Sequence, residues 1–499
     1  MNFSHIYCTP FLKNYFKSLC KDLGLDPVLV DPLALTAIIV FMSSIDTIDG
    51  VKSNQITYKG YLKIFFSSSA IDANTPKKFQ DFLVKNNWSC GKQIVAYDQL
   101  KAVVRLLHGL KHTCNQFVFF DQSSSGVSIL ALLCNSAEAA FESNAINSDP
   151  NMRNCLYTRF LRTLLSKNPT FEKYRFNRKW AKKVVFTHYY GSGLRSIVNA
   201  TTEWVQNHSV FGKETSTLHV PFKFIYSREV RAVKKSLRTF YDKIQWLRNF
   251  FLKIAFILLC NKKRFNDSKA SDLELGAIRW SRAVLVRNGV LEADADKFFG
   301  FGFISLKFKT LTGSVIEFSN VKVSGNSAIK IHKDIVSCDS DVESSLFKHF
   351  SSFQLKSAAD SLDIERTANS FLTHFGHSID ASVIQIFVKN YTAKYDSSFL
   401  IVHDSVGVPL NQFWAAQEII KKAYIQLGFS NHIKIISRHI IAPNFDSARF
   451  DCPLLLKYSK ILKIALITEF SNFAPLYHNL LLKYKEQFLN SLYWFSAGD

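Results

Sequence analysis

Two apolar segments that lie far apart in the chain each end in an aspartate. Asp121 follows the apolar residues 117–120, and Asp404 follows the run 399–402 and one histidine, His403, so 283 residues separate the two aspartates. A short apolar run that ends in a polar residue is typical of a buried strand whose end reaches the edge of a sheet. Two such strands side by side would bring their carboxylates together. Paired carboxylates of this kind hold two magnesium ions ~3.5–4 Å apart in phosphoryl-transfer enzymes.

Each aspartate also has a plainer interpretation. An aspartate after a strand is often the N-cap of the next helix, and the serines at 123–125 favour that interpretation for Asp121 when its segment is considered alone. The pair His403-Asp404 is harder to explain as core, because an unpaired carboxylate costs free energy when it is buried. Residues 406–408 can form the returning strand of a hairpin, which would leave this pair at the turn.

A basic segment between the two aspartates has the spacing of a helix face. Arg178 and Lys182 are four residues apart, and Phe186 and Tyr190 continue the same spacing. Such a ridge could bind a triphosphate at its cationic end, where arginine contacts phosphate bidentately and lysine acts as a point charge. The alternative is a solvated basic helix whose aromatic residues belong to the core.

The composition indicates a folded, basic protein. The chain has 499 residues, of which 47% are hydrophobic, and 62 lysines and arginines stand against 40 acidic residues, for a net charge of +22. This excess is spread along the chain, which is typical of a basic surface facing a polyanion, although a solvated surface without a partner explains it equally well.

The nine cysteines include no Cys-x-x-Cys pair, so a zinc site or a disulfide framework is not expected. The apolar runs 33–42 and 254–260 are too short to span a membrane, and we predict core helices and no membrane partner.

The periodicity of apolar residues predicts an α+β protein that is mostly helical. Strands alternate polar and apolar residues, whereas helices repeat them every three to four residues. The predicted elements are a helix over 94–112, a strand over 116–120, a helix over 126–140, a small β element within 296–336, a helix over 383–395, a strand over 398–402 and a strand near 432–441.

Four motifs in one order resemble the single-subunit DNA-directed RNA polymerases of bacteriophages, mitochondria and organellar linear plasmids. They are Asp-Gln-Ser-Ser-Ser-Gly at 121–126, Arg178 with Lys182 and Tyr190-Gly191, His377-Ser-Ile-Asp-Ala-Ser382, and His403-Asp404-Ser405. The resemblance extends from about residue 95 to the end of the chain. It implies a right-hand polymerase fold with a small antiparallel palm sheet, helical fingers and a DNA-directed RNA polymerase activity.

The resemblance also implies a role for each motif residue. Asp121 and Asp404 would ligate two Mg²⁺ ions, with help from the backbone carbonyl of Gln122. Arg178 and Lys182 would contact the incoming triphosphate, and Lys182 could donate a proton to pyrophosphate. Tyr190, which precedes Gly191, would lie beside the template and select ribose. His377 would contact the ribose 2′-hydroxyl, and His403 would support the catalytic hairpin.

The same resemblance implies a domain organisation and a set of partners. Residues 1–145 would contain an N-terminal remnant and the first part of the palm, 146–376 the fingers with an insertion near 235–275, and 377–499 the rest of the palm with C-terminal helices. The expected partners are a DNA template, an RNA transcript and ribonucleoside triphosphates. Because the palm motif comes so early in the chain, an accessory factor could recognise the promoter. A mitochondrial location is expected, with the plastid as the alternative.

Two other functions stay open from the sequence. A family A DNA polymerase shares the Arg, Lys, Tyr-Gly and His-Asp pattern, but its hairpin normally reads His-Asp-Glu, whereas Ser405 stands at that position here. The histidine of the 377–382 motif also favours ribonucleotides. The third possibility is an inactive nucleic-acid-binding remnant that stacks bases on aromatic residues such as Phe186 and Tyr189.

Overall fold

We analysed a computed structural model of the chain. It describes residues 117–122, 124–149, 154–189, 194–208, 227–260, 270–296, 298, 303–330, 352–396, 398–446, 450, 452–491 and 495–497. The predicted helix over 94–112 and the apolar run 33–42 lie outside these residues. So do Tyr190 and Gly191.

A four-stranded antiparallel sheet joins segments from three distant parts of the chain. Its strand order is β6-β7-β1-β8. The strands are β1 (Phe117–Gln122), β6 (Leu400–Val402), β7 (Ser405–Pro409) and β8 (Phe495–Ala497). In β1, Phe120 lies opposite Val406 of β7 on one side and opposite Ala497 of β8 on the other. The predicted strands over 116–120 and 398–402 are therefore confirmed, and they belong to the same sheet.

Three strands of two further antiparallel pairs lie within the β element predicted at 296–336, and the fourth strand, Ser352–Leu362, lies beyond it. One pairs β2 (Leu306–Lys309) with β3 (Val315–Phe318), and the other pairs β4 (Val321–Lys330) with β5 (Ser352–Leu362). The first hairpin packs on the helical body through Leu306 and Phe308, which are buried. Its outer strand β3 has exposed apolar residues, as an edge strand does when only one face meets the core.

The described part of the chain is mostly helical. The longer helices are α1 (Ser125–Leu133), α2 (Leu156–Lys167), α3 (Arg178–Tyr189), α4 (Leu194–His208), α5 (Ser227–Phe240), α6 (Asp242–Leu259), α7 (Asp272–Arg287), α8 (Ile364–Thr392), α9 (Phe413–Gln426) and α10 (Pro453–Phe473). Short α-helices are Ala137–Glu142, Glu292–Ala295, His432–Ile435, Ala442–Asn444, Leu480–Lys483 and Lys485–Asn490. Short 3₁₀ helices are Pro169–Tyr174, Leu410–Gln412, Phe429–Asn431 and Leu476–His478, and a π-helical segment covers Ile436–Ile441.

The strand predicted near 432–441 is wrong, because this segment is helical. Its isoleucines gave it the β-branched composition of a strand. In the structure Asn431 caps the helix through its side-chain oxygen, which accepts from the Lys434 amide at 3.0 Å. Ile436 and Ile440 are fully buried four residues apart, on one helical face. Burial of that face decides the conformation against the local preference for a strand.

A hydrophobic core runs between the sheet and the long helices. The 29-residue helix α8 packs against α1, α6 and α9. Aromatic contacts join the helices: Trp246 of α6 stacks on Phe473 of α10 with 3.6 Å between ring centroids, and Phe251 of α6 meets Phe371 of α8 at 5.2 Å. The run 254–260 lies buried in and just after α6, which confirms it as part of a core helix. In the part of the chain that the structure describes, no helix has the length and apolar character of a membrane span.

Candidate functional site

Asp121 lies on the open face of the four-stranded sheet. Val118, Phe120 and Gln122 alternate with it along β1 and are buried, whereas Phe119 and Asp121 point to the other face, where Phe119 is 39% exposed. One carboxylate oxygen of Asp121, Oδ1, accepts a hydrogen bond from the backbone amide of Gln122 at 2.7 Å. The N-cap position of α1 is occupied by Ser124. The interpretation of Asp121 as the N-cap of the following helix is therefore wrong.

Asp404 lies at the turn of the hairpin formed by β6 and β7. Val402 pairs with Ser405, so His403 and Asp404 form a two-residue turn, as predicted. His403 has a left-handed backbone with φ 57°, the conformation that tight hairpin turns require at their first central residue. The Ser405 hydroxyl donates to the carbonyl oxygen of Phe120 at 3.3 Å, which fixes the turn against β1.

The register of the sheet brings the two aspartates to the same place. Because Phe120 lies opposite Val406 in antiparallel strands, Asp121 lies level with Ser405, the neighbour of Asp404. Asp121 and Asp404 are both partly exposed. The convergence expected from the sequence is thus present in the fold, although 283 residues separate the two positions.

The charges of Asp121 and Asp404 act on a third carboxylate, that of Asp380 on α8. Burial raises its pKa well above the usual range, and the negative charges of Asp404 and then Asp121 raise it further. Its Oδ1 atom is buried and has no hydrogen-bond partner. The residue lies within the 377–382 motif, in which only His377 was expected to have a role. The signal was there, since Asp380 stands one helical turn after His377 and shares its side of the helix.

Helix α3 begins at Arg178, whose side chain contacts residues at the start of α2. The Arg178 Nε atom donates to the Cys155 sulfur at 3.1 Å, and its guanidinium lies 5.6 Å from the centre of the Tyr157 ring. The Tyr157 hydroxyl in turn accepts from the Ser124 hydroxyl at 3.0 Å, three residues after Asp121. Burial by itself raises the pKa of the Cys155 thiol, but the Arg178 charge and hydrogen bonds from Thr158 and Arg178 outweigh it, so the pKa is lowered. Arg178 is thus linked through Tyr157 to Ser124, which follows β1 in the chain.

The rest of the predicted ridge on α3 has the expected exposure where it is described. Lys182 is exposed, and Phe186 is 40% exposed, each one step of four residues further along the helix. Tyr189 is buried instead, and its hydroxyl donates to the Leu237 carbonyl at 3.4 Å. Stacking of nucleic-acid bases on Tyr189, part of the interpretation as an inactive remnant, is therefore excluded, while Phe186 is accessible.

His377 is exposed, whereas Gln122 is buried. His377 is exposed on α8, and its neighbour one turn earlier, His374, has a pKa that is lowered by burial and by the charge of His377. The Gln122 side chain points away from Asp121 into the core, where its Oε1 accepts from the Tyr424 hydroxyl at 2.8 Å. Tyr424 of α9 thus holds the Gln122 side chain in the core.

Comparisons with known proteins identify the family of the chain. The family model described as DNA-dependent RNA polymerase matches residues 85–449 of the chain, a range that includes all four motifs. A probable DNA-directed RNA polymerase of Agaricus bitorquis is 29% identical over 80 residues, which is 16% of this chain and 7% of that protein. The chain thus matches only a small part of this relative, whereas the family model covers well over half of the chain. The chain belongs to the DNA-dependent RNA polymerase family.

Proposed function

We propose that this chain catalyses template-directed RNA synthesis, adding ribonucleotides to an RNA 3′ end opposite a DNA template and releasing pyrophosphate. The observation that supports it most is the register of β1 against the β6–β7 hairpin, which sets Asp121 beside Asp404. Family membership supplies the reaction class. The proposed fold is the right hand, in which the four-stranded sheet is the palm and α3 belongs to the fingers.

The residues at the site fit a divalent metal ion of the Mg²⁺ type. Asp121, Asp404 and Asp380 offer only carboxylate oxygens, the ligands that this hard cation prefers. Among the described residues, no three His, Cys, Asp or Glu side chains form a group that could hold a metal by themselves. Magnesium usually takes one or two carboxylates together with water and substrate phosphates, and Asp121 and Asp404 are the two carboxylates proposed here. The Oδ1 atom of Asp380 is buried and has no hydrogen-bond partner, so a bound cation would stabilise this carboxylate.

In this proposal Asp121 and Asp404 hold two Mg²⁺ ions, with the Gln122 carbonyl as a further oxygen ligand. When bound, such a pair of ions activates the attacking hydroxyl and neutralises the leaving pyrophosphate. The role of the protein is to keep its oxygen ligands rigid. The bond from Ser405 to Phe120 and the tight turn at His403 do so by fixing the hairpin to β1.

Arg178 and Lys182 are the proposed triphosphate ligands. The contacts of Arg178 with Cys155 and Tyr157 hold its guanidinium in one orientation, so less conformational entropy is lost when a phosphate binds. Lys182 is exposed one turn further along α3. Its amine can contact the phosphates of the nucleotide and donate a proton to pyrophosphate. His377 and Tyr190 are the proposed readers of the ribose, and His377 is open to solvent.

The whole-chain organisation is proposed on the same basis. Residues 1–145, 146–376 and 377–499 would be the N-terminal part with the first palm segment, the fingers with an insertion near 235–275, and the second palm segment with the C-terminal helices. The template, transcript and ribonucleoside triphosphates are the proposed partners, and an accessory protein would recognise the promoter. The mitochondrial location, with the plastid as alternative, is a prediction that fractionation of the source cells would check.

Primer extension on a preformed RNA–DNA scaffold tests the proposed function. The purified chain is given Mg²⁺ with either ribo- or deoxyribonucleotides, and wild type is compared with Asp404→Ala. The matched control is Asp396→Ala, since Asp396 is an exposed aspartate eight residues earlier that lies outside the site. We expect ribonucleotide addition by wild type and by the control, and a loss of at least about 10³-fold with Asp404→Ala, as for removal of an essential metal ligand.

The same experiment separates the alternatives. Preferential addition of deoxyribonucleotides would identify a family A DNA polymerase. Binding of the scaffold without extension under any condition would identify an inactive remnant. Equal activity of Asp404→Ala and wild type would contradict the proposed role of this aspartate.

A further inference from the structure

A buried lysine on α9, Lys421, lies outside the proposed catalytic residues. It is 4% exposed, and its Nζ atom donates to the carbonyl oxygens of Leu489, at 3.1 Å, and of Ser491. Lys422, the next residue, is exposed and pairs with Glu418 on the surface at 2.5 Å. The two adjacent lysines therefore have different environments. Only Lys421 binds another segment through its amine.

The segment that Lys421 binds leads directly into the sheet. The Ser491 hydroxyl donates to the carbonyl oxygen of Asn144, so this segment is held from two sides. Four residues later begins β8, which pairs with the end of β1, with Ser496 opposite Asp121 and Phe495 opposite Gln122. An edge strand of three residues has few backbone hydrogen bonds of its own, so its place on β1 depends on how the preceding segment is anchored.

Helix α9 also holds β1 directly. Tyr424, one turn after Lys421, donates its hydroxyl to the Gln122 side chain at 2.8 Å and is fully buried. The two side chains thus act on neighbouring parts of one unit, Lys421 on the approach to β8 and Tyr424 on the last residue of β1. Asp121 lies between these two attachments, because it precedes Gln122 and faces Ser496.

Stability alone does not account for a lysine at this position. Burial lowers the pKa of Lys421 to about 7, which means that the fold disfavours its charged form. An unbranched apolar residue of similar length would avoid this penalty. What it would lack is a donor for the two carbonyl groups.

We infer that Lys421 is a positioning residue for Asp121, which acts by anchoring the segment 489–491 so that β8 stays paired with the end of β1. Its catalytic consequence rests on the proposed function. Its structural consequence does not, because the pairing of β8 with β1 can be measured whether or not the chain extends a primer.

The first test compares Lys421→Met with the matched control Lys422→Met in the full-length protein. Hydrogen exchange, followed by mass spectrometry, should become at least threefold faster for peptides covering 117–122 and 495–497 in Lys421→Met. The control should match wild type. In primer extension we expect kcat to fall about tenfold in Lys421→Met with KM for the nucleotide changed less than twofold, because Lys421 is not a substrate ligand. Unchanged exchange in both peptides would overturn the inference even if the protein had no polymerase activity.

A double-mutant cycle tests whether Lys421 acts through β8. Replacing both Ser496 and Ala497 by proline removes two consecutive strand amides, one of which faces β1 in an antiparallel pair. If Lys421 acts through this strand, Lys421→Met should reduce kcat less than twofold further in the proline background. Fully multiplicative losses would contradict the inference.

Ser491→Ala provides a second variant in case Lys421→Met does not fold. It removes the hydroxyl that donates to Asn144 and so loosens the same segment from its other side. We expect faster exchange at 495–497 and a two- to threefold lower kcat. Wild-type exchange and kcat in both Ser491→Ala and the double proline variant would overturn the inference, whatever Lys421→Met does.

Discussion

At the residue scale, charge and burial act together around the aspartates. Asp380 shows this best, since it combines a raised pKa with a buried carboxylate oxygen that has no hydrogen-bond partner. A carboxylate in such a place is stabilised only by a cation or by a proton. Without a bound cation or proton, this carboxylate therefore lowers the free energy of unfolding.

Asp380→Asn tests this electrostatic penalty. The amide has nearly the same shape but no charge, so it no longer repels Asp121 and Asp404. We expect the free energy of unfolding in metal-free buffer at neutral pH to rise by about 1 kcal/mol, measured by urea unfolding. Asp396→Asn, at an exposed position, should change it by less than about 0.5 kcal/mol. A loss of stability in Asp380→Asn would show that its carboxylate has a favourable partner in the free protein.

Lys421 gives a pH dependence of stability with a definite sign. Burial lowers its pKa from 10.5 to about 7. Below about pH 7 the folded and unfolded chains both carry the proton, and the penalty of the buried charge is constant. Between about pH 7 and 10.5 only the unfolded chain binds the proton, so stability rises with pH, by at most about 1.4 kcal/mol per pH unit.

The comparison that isolates this effect is wild type against Lys421→Met, by urea unfolding at pH 7, 8 and 9. All other titrating groups are common to both proteins. We expect the wild-type free energy of unfolding to rise relative to the variant by about 2 kcal/mol across this range. Parallel curves would show that the lysine keeps its ordinary pKa in the folded state.

At the scale of elements, α3 is joined to β1 through side chains of α2. Arg178 lies over Tyr157, and Tyr157 binds the Ser124 hydroxyl beyond the end of β1. Only an extended planar cation can lie over this ring and also offer two parallel donors to a phosphate. Specific side-chain contacts, and not charge alone, thus connect α3 to the segment that follows β1.

Arg178→Lys should therefore weaken nucleotide binding more than it weakens the fold. We expect KM for ribonucleotides to rise about tenfold in primer extension, while the free energy of unfolding changes by less than about 1 kcal/mol. Arg162→Lys, at an exposed position on α2, is the control and should leave both quantities at wild-type values. An unchanged KM in Arg178→Lys would remove this residue from the triphosphate site.

The elements themselves were predicted to different degrees. The strand that ends near Asp121 and the hairpin turn at Asp404 were predicted correctly, because alternating burial and a tight turn are local properties. The helical segment 432–441 was predicted as a strand, because its isoleucines favour a strand locally and only burial of one face favours the helix. Strand β8 was not predicted, since three residues are too few to show a period.

At the scale of the whole molecule, the site depends on chain segments that meet only after folding. The four-stranded sheet takes strands from near 120, near 400 and near 495, and the charges of its two aspartates act on Asp380 of helix α8. Binding of a cation at this meeting point should stabilise the assembled state, because the unfolded chain cannot bring the carboxylates together.

Thermal unfolding in increasing Mg²⁺ at constant ionic strength tests this linkage. At a concentration ten times Kd, one bound ion adds about 1.4 kcal/mol to the free energy of unfolding, so the melting temperature should rise. Asp396→Asn should keep the increase, and the double variant Asp121→Asn/Asp404→Asn should lose it. An equal increase in the double variant would show that the ion binds elsewhere.

Sequence by itself determined which residues are candidates for the site and in what order they come, because motif spacing, the strand ends and the helical ridge of α3 are local patterns. Tertiary structure alone decided which of these residues meet. The register that sets Asp121 beside Asp404, the approach of Asp380, the inward turn of Gln122 towards Tyr424 and the anchoring of β8 by Lys421 all depend on pairing and burial between distant segments. The physical reason is that burial free energy is a property of the assembled core, and no window of sequence contains it.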